Sequence, residues 1–227
     1  MRDFLKSGLR GWFRGYGGWP TYNYRPLYLQ AFDFFVKNLG MIIPAIIALI
    51  ISLIVGFVVG AIGAALALTG LSIGIVDAIG FVIGFISGII ISFLILIEAY
   101  EAGSVVNGNL PDIGLAWQST QNTWEKFLPT ALLTGLIFGV LSALRIPGAF
   151  LIEGLFLVLV YVVSSGIVSG IRPSLEQSLN WYSSAFSKDG VSSLILLLGA
   201  ILSLVPILNL FVIPYTELLA TLMVRKY

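Results

Sequence analysis

The chain has 227 residues, 58% hydrophobic and only 10% charged, with a mean hydropathy of +1.02 and a formal net charge of +1. A soluble chain carries about a quarter charged residues, so this one cannot cover a water-facing surface, and its near-neutral charge excludes the dense basic face of a nucleic-acid binder. Cysteine and histidine are both absent, which removes disulfides, thiolate metal sites and the commonest general base and transition-metal ligand.

Residues 1–26 form a basic and aromatic arm. Arg2, Lys6, Arg10 and Arg14 recur every four residues, beside a face of Leu5, Leu9, Trp12, Tyr16 and Trp19 and a third face of glycines. No apolar signal-peptide core precedes them. A basic face beside an aromatic one fits a helix in the membrane interface, with Arg10 and Arg14 reaching anionic headgroups. The glycines equally fit an irregular arm, because each costs about 1 kcal/mol in a helix.

Residues 27–40 mix aromatics with Gln30, Asp33, Lys37 and Asn38 and predict an amphipathic lead-in helix. The uncharged run 41–68 exceeds the roughly 20 apolar residues needed to span a bilayer. A second span is predicted over 76–97, with Asp77 at its entry. Gly80, Gly84 and Gly88 recur every four residues on this span and predict a packing seam against the first span. Pore lining is the less common use of such a stripe. Glu98, Tyr100 and Glu101 mark its exit to water, and a carboxylate metal site with Asp112 and Glu125 is the alternative.

The next two units repeat one pattern. Gly108, Pro111, Trp124 and Lys126 correspond to Gly170, Pro173, Phe186 and Lys188 at one offset of 62 residues. Phe35-Val36-Lys37 is a fainter third copy. Each copy predicts a lead-in helix (113–126 and 174–188) followed by a hairpin: spans 127–144 and 149–171, then a short span 191–205 and a last span 207–224. Aromatics at headgroup depth and the outward-reaching Lys37, Lys126 and Lys188 anchor each bend. A lipid-headgroup site shared by the three lysines is the sharper alternative.

The fold class expected is therefore all-α: a polytopic membrane protein of six transmembrane helices, arranged as three hairpins each preceded by an amphipathic interfacial helix. The arm 1–26 precedes a single membrane domain 27–227, divided into units 27–107, 108–169 and 170–227. Arg145 lies on one side, and the other eleven of the 12 basic residues lie on the side of the lead-ins and both termini. Such asymmetry predicts cytoplasmic termini in a multi-pass cell-membrane protein.

Ionisable residues inside spans are functional candidates by default. Arg145 is expected to pair with Glu153 or Asp77 at the outer interface. Glu217 lies eight residues before Arg225, about 12 Å deep at 1.5 Å per residue. Pro214 frees a backbone carbonyl nearby, and Tyr215 and Thr216 add polar groups. A protonated, hydrogen-bonded Glu217 is the favoured reading; a cation or proton site is the other. No nucleophile elbow, phosphate loop, kinase set or zincin pattern is present.

The Gly-x-x-Pro lead, the aromatic and the basic residue, as in Gly108, Pro111, Trp124 and Lys126 and again in Gly170, Pro173, Phe186 and Lys188, with Pro206 and Pro214 in the last hairpin, resemble a broad group of six-span prokaryotic membrane proteins. The membrane domain of some glycerophosphodiester phosphodiesterases is similar. The resemblance implies an architecture and no activity, and no phosphodiesterase domain accompanies it here. A non-catalytic scaffold or accessory subunit is the expected function, with the bilayer and a membrane partner or second copy as its contacts and no cofactor. A transporter or channel using Glu217 is the alternative. An intramembrane lipid enzyme lacks a nucleophile or metal set.

Overall fold

The computed structural model describes residues 25–68, 73–171, 173–205 and 207–227. The arm through Tyr24, with Arg10 and Arg14, lies outside the described residues, as do the turn 69–72, Arg172 and Pro206. Among the described residues the chain is helical throughout, with no strand.

Helix α1 (Leu27–Lys37) is amphipathic, and its buried residues Leu27, Ala31 and Phe35 recur every four residues along one stripe. Asn38 ends it, and after a single 3-10 turn at Leu39–Met41 the chain bends by 88° into α2 (Ile42–Leu68). Helix α2 presents Leu53, Ile54 and Phe57 outward, Phe57 being 79% exposed. A large apolar ring in that position is stable in lipid and costly in water.

Helices α3 (Ile73–Val106) and α4 (Ile113–Leu144) run 34 and 32 residues. At 1.5 Å per residue each is about 50 Å long, against a hydrocarbon core of about 30 Å. They pack antiparallel along their length. At one end Gly84 and Gly88 lie against the backbone of Phe138, Gly139, Thr134 and Gly135, and Gly135 and Gly139 lie in turn against Phe85 and Phe81. At the other end the Tyr100 and Thr123 hydroxyls meet at 2.7 Å. The glycine seam therefore closes on α4, whereas the order of the chain predicts α2 as its partner. The reason is complementarity: α4 offers Gly135-x-x-x-Gly139, whereas the α2 glycines Gly60 and Gly63 face open space.

Helix α4 also runs unbroken through Lys126 and Phe127, so this lead-in is the continuation of its span and not a separate surface helix. The residue after the lysine explains the difference. After Lys37 comes Asn38 and after Lys188 comes Asp189, and both leave the helical region with similar backbone angles (φ −131°, ψ 51° and φ −143°, ψ 73°). Asp189 then accepts the Ser192 amide at 3.1 Å and starts the next helix. Phe127 has no oxygen with which to cap a new helix, and it is instead fully buried.

Arg145 and Gly148, both at positive φ, turn the chain into α5 (Ala149–Val168). Helix α6 (Leu175–Lys188) opens on a capping box of Ser174 and Gln177. Helix α7 (Gly190–Leu202) is only 13 residues long. Helix α8 (Asn209–Lys226) contains Pro214 and closes the chain. The ends of α3 and α5 are built alike. The amides of Gly108 and Asn109 donate to Val105 and Ser104, and those of Gly170 and Ile171 donate to Ile167 and Gly166. Gly108 (φ 85°) and Gly170 (φ 78°) take the left-handed conformation that such a helix stop requires. The Gly-x-x-Pro lead is thus a helix terminator, with Asp112 and Ser174 capping the helices that follow.

Among the described residues three helices, α3 from Gly74, α4 and α5, are long and apolar enough to cross a membrane, and the bent pair of α1 and α2 makes a fourth if counted as one span. With exposed Leu132, Leu136, Leu151, Leu155, Leu194 and Leu198 around the outside, this is a helical membrane protein. The core is formed largely where α3, α5 and α8 meet, around Ile95, Leu96, Leu157, Tyr161, Leu218 and Met223.

Candidate functional site: a buried polar cluster around Glu217

Helix α8 carries Glu217 into the centre of this core, where it is 0% exposed. The consecutive serines of α5 meet it. Ser165 donates to one carboxyl oxygen at 2.6 Å, and the Ser164 hydroxyl stands 3.3 Å from both while donating to the Tyr161 carbonyl at 2.9 Å. Thr221, one turn further along α8, lies 3.2 Å from the Ser165 hydroxyl. Serine suits this place because it is small enough for close helix packing and brings a donor that bulkier apolar residues lack.

A second carboxyl lies beside it. Arg225 on α8 donates to the side chain of Asn107 at 2.8 Å and to the Gly103 carbonyl at 3.4 Å. The two helices run parallel, and at that register Glu217 stands opposite Glu98. Glu98 is 0% exposed, and neither of its oxygens has a hydrogen-bond partner. It feels the charge of both Glu217 and Glu101, and the Ala45 amide in the first turn of α2 faces it without forming a well-aligned bond. Tyr161, fully buried on α5, lies within electrostatic reach of both glutamates. Its hydroxyl is directed at Ser203 short of a formed hydrogen bond.

Glu98 and Glu101 are therefore buried, whereas the sequence placed them at a solvated span end. Helix α3 continues two turns past Glu98, and α2, α4 and α8 cover that end. A signal was present: Ala99, Ala102 and Gly103 interleave the two acids, and small residues there let neighbouring helices close over them. Ala99 and Ala102 are fully buried, and a Cβ on Gly103 would run into Val168. Among the described residues no three acidic side chains converge as a metal site needs, so Glu98, Glu101, Asp112 and Glu125 do not form one.

The other residues singled out in sequence lie apart from one another. Tyr215 donates to the Tyr28 carbonyl at 3.2 Å and ties α8 to α1. Arg145 pairs with Asp77 at 2.8 Å between the end of α4 and the start of α3, with more than half its own side chain exposed. Glu153 is half-buried in the first turns of α5. Glu217, Tyr215, Glu153 and Arg145 thus occupy four separate places. Lys37, Lys126 and Lys188 are all exposed. Lys37 lines a groove of about 220 Å³ with Asp33, Asn38 and Asn109. Lys188 and Lys226 stand 5.7 and 5.0 Å from the centre of the Tyr227 ring. Two further grooves, of about 520 and 280 Å³, lie around Trp117 and Trp124 and around Trp181. Neither glutamate lines any of these three grooves.

No family model, curated protein or solved structure matches this chain.

Proposed function

We propose that the protein is a non-catalytic, multi-pass integral membrane protein of the cell membrane, with cytoplasmic termini, serving as a scaffold or accessory subunit of a membrane complex or of bilayer organisation. The six-span plan belongs to this proposal, with α7 and α8 as the fifth and sixth spans. The observation that carries it is the closed core. Glu217 is held by Ser164 and Ser165, and none of the three grooves described above reaches it. The outward faces, by contrast, are broad and apolar. The groove of about 520 Å³, lined by Ile51, Ile89, Phe93, Leu94, Trp117 and Trp124, has the chemistry of a lipid chain or of another apolar helix. Mild-detergent purification of the tagged chain tests the reading. A stoichiometric membrane partner or a defined oligomer is expected, and a lone monomer that carries an ion or solute flux in liposomes would overturn it.

A transporter or channel is the second reading, favoured by one observation: two fully buried carboxyls beside a helix that contains Pro214. Sites of this kind occur where transporter helices are broken. It requires flux in liposomes that Glu217→Gln abolishes.

A further inference from the structure

We propose that Glu98 and Glu217, with the hydroxyls of Ser164, Ser165 and Thr221, form a binding site for a single dehydrated monovalent cation of sodium's size, which locks α3, α5 and α8 together. The site goes beyond the scaffold reading and does not depend on it.

Three observations converge. The first is the oxygen cluster. Both carboxyl oxygens of Glu217, Ser164 Oγ, Ser165 Oγ and Thr221 Oγ1 lie within a chain of contacts of 2.6 to 3.3 Å, and all four residues are fully buried. Carboxylate and hydroxyl oxygens are hard donors, which favour hard cations over transition metals. The second is Glu98. It is fully buried and both its oxygens lack a partner, whereas buried polar atoms in folded proteins are normally paired. The parallel register of α3 and α8 sets it opposite Glu217. The third is charge. The nearest fixed cation on either helix, Arg225, is two turns from Glu217 and is engaged by Asn107 and Gly103. Two buried carboxyls without a counter-charge are strongly disfavoured.

The charge of the ion follows from the same groups. Among the described residues no three acidic side chains converge as a metal site needs, so a divalent ion lacks the oxygen cage it needs. The first turn of α2, with its Ala45 amide facing Glu98, contributes roughly half a positive charge from the helix end. One monovalent cation together with that partial charge offsets most of the pair. A sodium-sized ion also bridges two helices through oxygens that do not touch each other directly, which a single shared proton does not do.

Thermal unfolding of the full chain in detergent micelles, in sodium, potassium or choline chloride at one ionic strength, tests this. The expected result is a midpoint that rises and saturates with sodium alone. Glu98→Gln and Ser165→Ala, each checked for helical content, are expected to weaken the apparent sodium affinity at least tenfold. Equal midpoints in sodium and choline for the wild-type chain would overturn the proposal, as would undiminished sodium dependence in both variants. A midpoint that follows pH and ignores sodium would also overturn it, and would assign a shared proton to the pair.

Discussion

Replacing Gly84 by alanine tests the packing that holds α3 to α4. A Cβ at Gly84 would lie 2.5 Å from the Phe138 carbonyl oxygen and 2.9 Å from the Gly139 Cα. Both are backbone atoms, which do not swing aside as a side-chain tip does, so the helices must separate. Overpacking of this kind costs about 1–3 kcal/mol. Alanine returns up to about 1 kcal/mol of helix propensity, leaving a net loss of up to about 2 kcal/mol. At about 2–4 °C per kcal/mol for a chain of this size, the unfolding midpoint should fall by several degrees. Gly88→Ala should behave alike, since its Cβ would meet the Gly135 Cα at 2.8 Å. The molecule supplies its own controls. A Cβ at Gly80 would be 3.5 Å from its nearest neighbour, and one at Gly63 would meet nothing within 4 Å, so both alanine variants should match the wild type or exceed it. Intrinsic tryptophan fluorescence during heating is a suitable readout, because Trp117 and Trp124 lie on α4. If Gly84→Ala and Gly63→Ala melt together, the glycine seam is not what joins the two helices.

Further outcomes are expected elsewhere in the chain. Gly108→Ala and Gly170→Ala force alanine into the left-handed region at φ 85° and 78°, and each should cost about 1–2 kcal/mol in equilibrium unfolding; a loss at only one site would show that the two helix stops are not equivalent. Asp189→Ala removes the cap on Ser192 and the 3.4 Å contact from the Tyr227 hydroxyl; about 1 kcal/mol should be lost, with fraying at the start of α7 visible in hydrogen exchange. Tyr182 donates to the Ser193 carbonyl at 2.8 Å, and burial pushes its ionisation up to about 12. The neutral phenol is thus favoured by folding: the contribution is complete below the unfolded value of about 10 and is lost as pH rises from there towards 12. A Tyr182→Phe difference titration by ultraviolet absorbance should show one phenol missing from the late-titrating set. Asp77→Asn removes a half-exposed ion pair with Arg145 and should change stability by less than about 1 kcal/mol.

Much of the architecture is local and therefore readable in the chain. The apolar runs of α3, α4 and α5 define membrane helices by length alone. The Gly-x-x-Pro lead is a helix stop because Gly108 and Gly170 must adopt positive φ, and the proline and cap residue that follow cannot extend the old helix. Pairing across the bundle is less readable. The seam of Gly80, Gly84 and Gly88 fits any glycine stripe at the same spacing, and only three-dimensional complementarity selects Gly135 and Gly139. The continuity of α4 depended on one residue, Phe127, standing where its counterparts are Asn38 and Asp189. Glu217 was legible as an acid deep in an apolar run. Glu98 was not, because its position near the end of an apolar stretch is also where a solvated acid belongs. What distinguishes the two cases is the cover from α2 and α8, which arrives from more than fifty residues before and more than a hundred after.

Topology mapping tests the membrane-embedded arrangement most directly, and the absence of native cysteine makes it clean. Single cysteines at Ile146, Asn109 and Ser187 are treated with a membrane-impermeant maleimide on intact cells and again after permeabilisation. The arrangement proposed here predicts labelling of position 146 in intact cells, and of 109 and 187 only once the membrane is opened. Labelling of all three from one side would contradict it.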